Sequence, residues 1–120
     1  MSFQYLQLEQ RDQVATVWIN RAEMHNAFNT QVIEELHRCF SELNTRDDVR
    51  VVILAGRGKS FSAGADLNWM KEAGQASQAE NEADALKLAK MLQSLATLKQ
   101  PTIARVQGIA FGGQTDAIFD

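Results

Sequence analysis

The chain has 120 residues, enough for one domain with a core of its own, and carries 15 Asp and Glu against 12 Lys and Arg, a net charge of −3. Its basic residues are scattered, which leaves no electrostatic footprint for a nucleic-acid backbone, and no uninterrupted apolar run approaches membrane-spanning length. Met1-Ser2-Phe3-Gln4-Tyr5 lacks the basic and apolar regions of a targeting segment, so a soluble, cytoplasmic protein is expected.

In chain order, residues 5–9 and 14–19 read as two strands joined by a polar turn, Gln10-Arg11-Asp12-Gln13. Asn29 can then cap a helix whose apolar positions, Val32, Ile33, Leu36, Phe40 and Leu43, recur at spacings of three and four and so form one buried face. Cys39 is the single cysteine, so no internal disulfide can form; on that apolar helix it reads as a buried thiol rather than a nucleophile. Residues 49–55 are apolar enough for a strand buried on both faces, as in a parallel sheet flanked by helices. Between Met70 and Asp84 the chain is at its most polar and reads as a loop or frayed helix pair near the mouth of a site. Residues 83–98 return to helical periodicity through Leu88, Met91, Leu92, Leu95 and Leu98, Pro101 enforces the stop, and residues 102–106 form the next strand. Strand, helix, strand, helix, strand implies right-handed βαβ units. There is no internal repeat, low-complexity tract or interdomain linker.

The most informative stretch is Gly58-Lys59-Ser60-Phe61-Ser62-Ala63-Gly64-Ala65-Asp66-Leu67, which sits where a strand turns into a helix start. Backbone N–H groups at such a turn have no helical partner and point outward. A second stretch of the same kind follows the strand at 102–106: Gly108, then Ala110-Phe111-Gly112-Gly113. Two such donors aimed at one point would make an oxyanion hole. A glycine pair alone is an ordinary strand-to-helix turn; the two stretches together carry the functional reading. Phosphate-loop readings of Gly56-Arg57-Gly58-Lys59-Ser60 fail on spacing. A Walker A loop needs glycine where Ile53 stands, and a dinucleotide fingerprint needs it where Phe61 stands. His25 and His37 are too far apart in pattern, and lack Cys or acidic companions, so no metal is expected.

With Trp18-Ile19-Asn20-Arg21-Ala22-Glu23-Met24-His25-Asn26-Ala27-Phe28 ahead of them, these motifs resemble the enoyl-CoA hydratase/isomerase (crotonase) superfamily in order and spacing. Ala22 stands where the family usually has proline. The resemblance implies an α/β fold, a crotonase-like spiral of ββα units with parallel sheets flanked by helices. Because that fold uses about twice this length, residues 1–120 would be the N-terminal part of a single core domain, truncated. The substrate implied is an acyl-CoA thioester, with coenzyme A entering as part of the substrate and no cofactor held permanently. The partners implied are a second and further copies of the chain, as a trimer or hexamer at full length, and neither nucleic acid nor membrane. Phe61-Ser62-Ala63-Gly64-Ala65-Asp66-Leu67-Asn68-Trp69-Met70 looks most like the methylglutaconyl-CoA and carboxygeranoyl-CoA hydratase branch.

By the same resemblance, the N–H groups of Ala65 and Gly113 are the oxyanion donors, which explains the small residues around them: a thioester must approach the backbone closely. Ala63, Gly64, Asp66, Leu67 and Asn68 form the segment that contacts the substrate, although Asp66 also suits a first helical turn through its charge alone. Met24 corresponds to a position near the pantetheine and adenine of coenzyme A, where a methionine can equally fill a core gap. Arg57 and Lys59 either meet the coenzyme's phosphates or solvate a loop. Trp69 and Met70 either line an acyl pocket or pack inward.

Hydration also needs carboxylates to position water and deliver a proton. Asp116, three residues after Gly113, stands where the family has its first glutamate, and the second would lie beyond residue 120. Gln114-Thr115-Asp116-Ala117-Ile118-Phe119-Asp120 departs from the small and apolar run of the family, so Asp116 reads equally as a helix-start or surface residue. The leading expectation is hydration of an α,β-unsaturated acyl-CoA, with little activity from these 120 residues alone. The alternatives are an isomerase or thioester-splitting relative, or a catalytically silent acyl-CoA-binding fragment.

Overall fold

A computed structural model describes residues 2–58, 75 and 77–105. It opens with a hairpin, β1 (Leu6–Arg11) and β2 (Val14–Ile19), antiparallel and in continuous register from Leu6 opposite Ile19 to Arg11 opposite Val14. The turn is only Asp12 and Gln13, shorter than expected, because Gln10 and Arg11 pair with Ala15 and Val14 and extend the strand. Asp12 takes φ 54°, the left-handed backbone that two-residue hairpin turns require and aspartate tolerates.

A 3₁₀ turn (Ala22–Met24) leads to α1 (Thr30–Leu43), where the Asn29 side chain accepts the Val32 N–H at 3.0 Å and caps the helix as expected. Val32, Ile33, Leu36, Phe40 and Leu43 are all buried, joined by Cys39 and by Glu35. The Glu35 carboxylate accepts the Tyr5 N–H at 2.8 Å and the Gln31 amide at 2.6 Å, which ties the chain ahead of β1 to α1.

The next strand, β3 (Val51–Gly56), runs parallel to β2, and after α2 (Gln78–Ala96) a short β4 (Thr102–Arg105) runs parallel to β3, giving the order β1-β2-β3-β4. The helices pack on each other, and their buried side chains join Ala15, Val17, Ile19, Val52 and Leu54 in one core. Burial of the third strand on both faces holds only toward its C-terminal end, where Ala55 is buried. Val52 and Leu54 face the helices and are buried, whereas Val51 and Ile53 are half-buried on the opposite face and Ile103 beside them is 55% exposed. Val49 is buried in the connection ahead of the strand rather than within it.

The second helix also starts earlier than its apolar stripe. Ser77 caps it by accepting the Glu80 N–H at 3.2 Å, so residues 78–83, expected as loop or frayed helix, form its exposed first turns. Glutamate, glutamine and alanine propagate a helix without burial, and periodicity marks only where it meets the core, here Met91 and Leu95. Beyond its end, buried Gln100 donates to the Leu43 carbonyl at 2.7 Å and the Val49 carbonyl at 3.3 Å, clasping the end of α1 to the entry of β3.

Burial pushes the Cys39 thiol up to about 12. Since that lies above the unfolded value of 9.0, the neutral thiol favours the folded state at every pH below about 9, and this contribution fades as pH rises toward 12. At pH 8, thiol-reactive reagents are therefore expected to label Cys39 only at the rate at which the native protein opens, with urea accelerating the reaction. Rapid labelling of native protein would contradict the burial.

Candidate functional site

Strands β2, β3 and β4 are parallel, and the pairings of Ile19 with Gly56 and Ala55 with Arg105 bring their C-terminal ends to one edge of the sheet. Carboxyl ends of parallel strands are where open α/β sheets hold ligands. In the chain, Met24 follows β2, residues 63–68 come after β3, and residues 108–116 come after β4. Topology thus brings to one edge the ends of strands far apart in the chain, Ile19, Gly56 and Arg105. Lys59, Ala63, Gly64, Ala65, Asp66, Leu67, Asn68, Trp69, Met70, Gly113 and Asp116 themselves fall outside the described residues.

The passage from β2 to α1 is held by its own backbone. Met24 and Asn26 donate N–H bonds to the Arg21 carbonyl at 3.0 and 2.9 Å, and Ala27 donates to the Met24 carbonyl at 3.0 Å. His25 and Asn26 both take left-handed backbone, φ 51° and 55°. Met24 is 39% exposed, which removes the core-filling alternative for it.

Asn26 is wholly buried, and its side chain works in two directions. Oδ1 accepts the Arg21 N–H at 2.8 Å, and Nδ2 donates to the carbonyl of Arg57, just past β3, at 2.8 Å. Gly58 adds a steric constraint at the same junction: at φ 84°, a Cβ built on it would lie 2.9 Å from the Ala22 Cβ. Sequence reasoning included Asn26 in the motif without a role, and read Gly58 only as part of a turn. Asparagine between a strand and a helix cap is a residue that tolerates φ > 0, which is the signal that could have marked it.

Arg57 is engaged by side chains of the hairpin. Its guanidinium lies 3.9 Å above the Trp18 ring, bonds Gln7 Oε1 at 2.9 Å and pairs with Glu9 at 2.9 Å, all on the sheet face away from the helices. Sequence reasoning, which weighed phosphate contact against loop solvation for Arg57, did not find these partners. Among the described residues no group of three His, Cys, Asp or Glu could hold a metal ion, and no helix is long and apolar enough to cross a membrane.

The fold defines an α/β protein whose three parallel strands end at one edge of the sheet. The chain belongs to the enoyl-CoA hydratase/isomerase family, whose sequence profile matches residues 9–116. It is 38% identical over 107 residues to the short-chain-enoyl-CoA hydratase of Clostridium acetobutylicum, covering 88% of this chain and 40% of that protein. It is 33% identical over 111 residues to the 4-chlorobenzoyl coenzyme A dehalogenase-2 of an Arthrobacter species, covering 91% and 40%. The crystal structure of an enoyl-CoA hydratase from Shewanella pealeana superposes with a TM-score of 0.89 at 36% identity, over 92% of this chain and 42% of that one. The architecture is therefore crotonase-like, and the chain spans about two-fifths of the length of the relatives it matches. Ala22, the departure from the motif, opens the 3₁₀ turn, a first-turn position that proline also fits.

Proposed function

We propose that residues 1–120 are the N-terminal part of a crotonase-type core domain whose sheet edge binds an acyl-CoA thioester and stabilises the enolate formed from it. The observation that supports this reading is the common edge at which β2, β3 and β4 end, the strands that precede Met24, Ala65 and Gly113 in the chain. Addition of water to the β-carbon of an α,β-unsaturated thioester shifts negative charge onto the thioester oxygen. Two N–H donors, from Ala65 and Gly113, answer that charge without reorganising as it develops. Met24, Ala63, Gly64, Asp66, Leu67 and Asn68 hold the coenzyme A and acyl portions. Asp116 is the first acid–base carboxylate, and its partner lies beyond residue 120. Coenzyme A is part of the substrate, so the chain needs no resident cofactor.

Hydration is the leading reaction because proteins named as enoyl-CoA hydratases are among the matches, at 38% and 36% identity. The dehalogenase match supports a second reading, in which the same enolate-stabilising half serves another thioester reaction. Methylglutaconyl-CoA is the proposed substrate within the hydratase reading, on the likeness of residues 61–70 to that branch. Copies of the chain associate, as in a trimer or hexamer of the complete protein.

Calorimetric titration with crotonyl-CoA and methylglutaconyl-CoA tests the binding half, and both should bind, the second more tightly. For the chemical half, this chain is joined to the C-terminal portion of the Clostridium enzyme and assayed by loss of the conjugated thioester absorbance. Turnover by the joined protein is expected, with Asp116→Asn lowering it by roughly 10²–10⁴-fold. No thioester binding by the chain would sink the site, whereas turnover unaffected by Asp116→Asn would remove Asp116 from catalysis.

A further inference from the structure

We infer that Asn26 is a positioning residue that locks the exit of β2 to the exit of β3 and thereby sets the place of Met24 in coenzyme A binding; the inference rests on the acyl-CoA reading above. The lock has three parts on two segments 31 residues apart. The Asn26 side chain accepts from Arg21 on its own loop and donates to the Arg57 carbonyl across the junction, each at 2.8 Å. The Arg57 N–H in turn donates to the Ile19 carbonyl at 2.9 Å, closing a circuit from β2 to β3 and back. Gly58 then lets the β3 exit lie against Ala22, a contact with no room for another side chain.

A buried amide with both ends engaged specifies geometry more than it adds affinity of its own. Without it, the left-handed pair His25 and Asn26 keeps its main-chain bonds but loses the side-chain tie across the junction, so the loop bearing Met24 can shift against the end of β3. Arg57 is itself fixed by Trp18, Gln7 and Glu9, so through Asn26 the loop is anchored to the sheet.

Two measurements on Asn26→Ala test this. Amide hydrogen exchange in the ligand-free protein should accelerate at least about tenfold both at residues 24–27 and at Arg57, with the amides of Leu36 and Phe40 in α1 unchanged, because the bonds lost are local to the junction. Calorimetry should show binding of crotonyl-CoA weakened by about tenfold or more, while binding of the crotonyl N-acetylcysteamine thioester, which lacks the nucleotide and most of the pantetheine, stays within about twofold.

Equal weakening of both thioesters, or faster exchange in α1 as well, would mean general destabilisation and overturn the positioning role. So would unchanged exchange at Arg57. Failure of the unaltered chain to bind either thioester would instead overturn the acyl-CoA reading, whatever the exchange result. Should Asn26→Ala fail to fold, Gly58→Ala attacks the same junction from the other side and should give the same selectivity between the two thioesters. Adding Ala22→Gly removes the methyl it strikes and should restore part of the lost crotonyl-CoA affinity; no recovery would overturn the junction as the cause.

Discussion

Ala65→Pro is expected to weaken binding of the acetoacetyl-CoA enolate by roughly 10²–10³-fold, the usual effect of removing one oxyanion donor, equivalent to about 2.7–4 kcal/mol. Proline carries no N–H, so the substitution deletes the proposed donor and leaves the side-chain volume near that of a small residue. A β-keto thioester ionises to an enolate whose charge resembles that of the hydration transition state, and a site complementary to that charge should prefer it to a neutral ligand. Butyryl-CoA, saturated and uncharged at the acyl group, should therefore bind the variant and the unaltered chain within a few-fold of each other. Ala65→Ser retains the N–H and should keep most of the enolate preference. Parallel losses for enolate and butyryl-CoA would point to a collapsed loop, and an undiminished enolate preference in Ala65→Pro would remove Ala65 from the oxyanion hole.

Phe40→Ala is expected to cost about 3–5 kcal/mol of folding stability, a large share of the roughly 5–15 kcal/mol available to a domain of ordinary stability. Phe40 is 1% exposed and, among the described residues, heads the fully buried side chains by volume, in the core cluster that unites α1 with Met91 and Leu95 of α2 and with the inner face of the sheet. Shortening it to a methyl removes apolar burial and leaves a cavity that rigid neighbours only partly fill. Leu86→Ala on α2 provides the comparison: at 54% exposure the same kind of truncation should change stability by no more than about 0.5 kcal/mol. Urea denaturation followed by far-ultraviolet circular dichroism reads both. A loss below about 1 kcal/mol for Phe40→Ala would show that α1 is not the main cover of the sheet. Because α1 lies between β2 and β3 in the chain, its loosening should also blur the alignment of Ile19 with Gly56, and with it the edge where the site is built.

Local chemistry determined much of this protein from sequence alone. Asn29 marked the start of α1, the three-and-four spacing from Val32 to Leu43 marked its buried face, and β2 was legible in its alternation and bounds, because each depends on neighbours within a few residues. The motif order from Trp18 to Gly113 likewise identified the family before any fold was known. Tertiary structure alone decided the rest. Whether Val51 and Ile53 are covered depends on what lies across the sheet, not on their own hydrophobicity, and the first turns of α2 carry no apolar mark because they touch no core. Arg57 is bound by Glu9 and Trp18, dozens of residues upstream, and Asn26 reaches a carbonyl 31 residues downstream. Such contacts leave no periodicity in the chain, since they are set by strand register and a left-handed turn, and only the folded sheet brings the three strand ends to one edge.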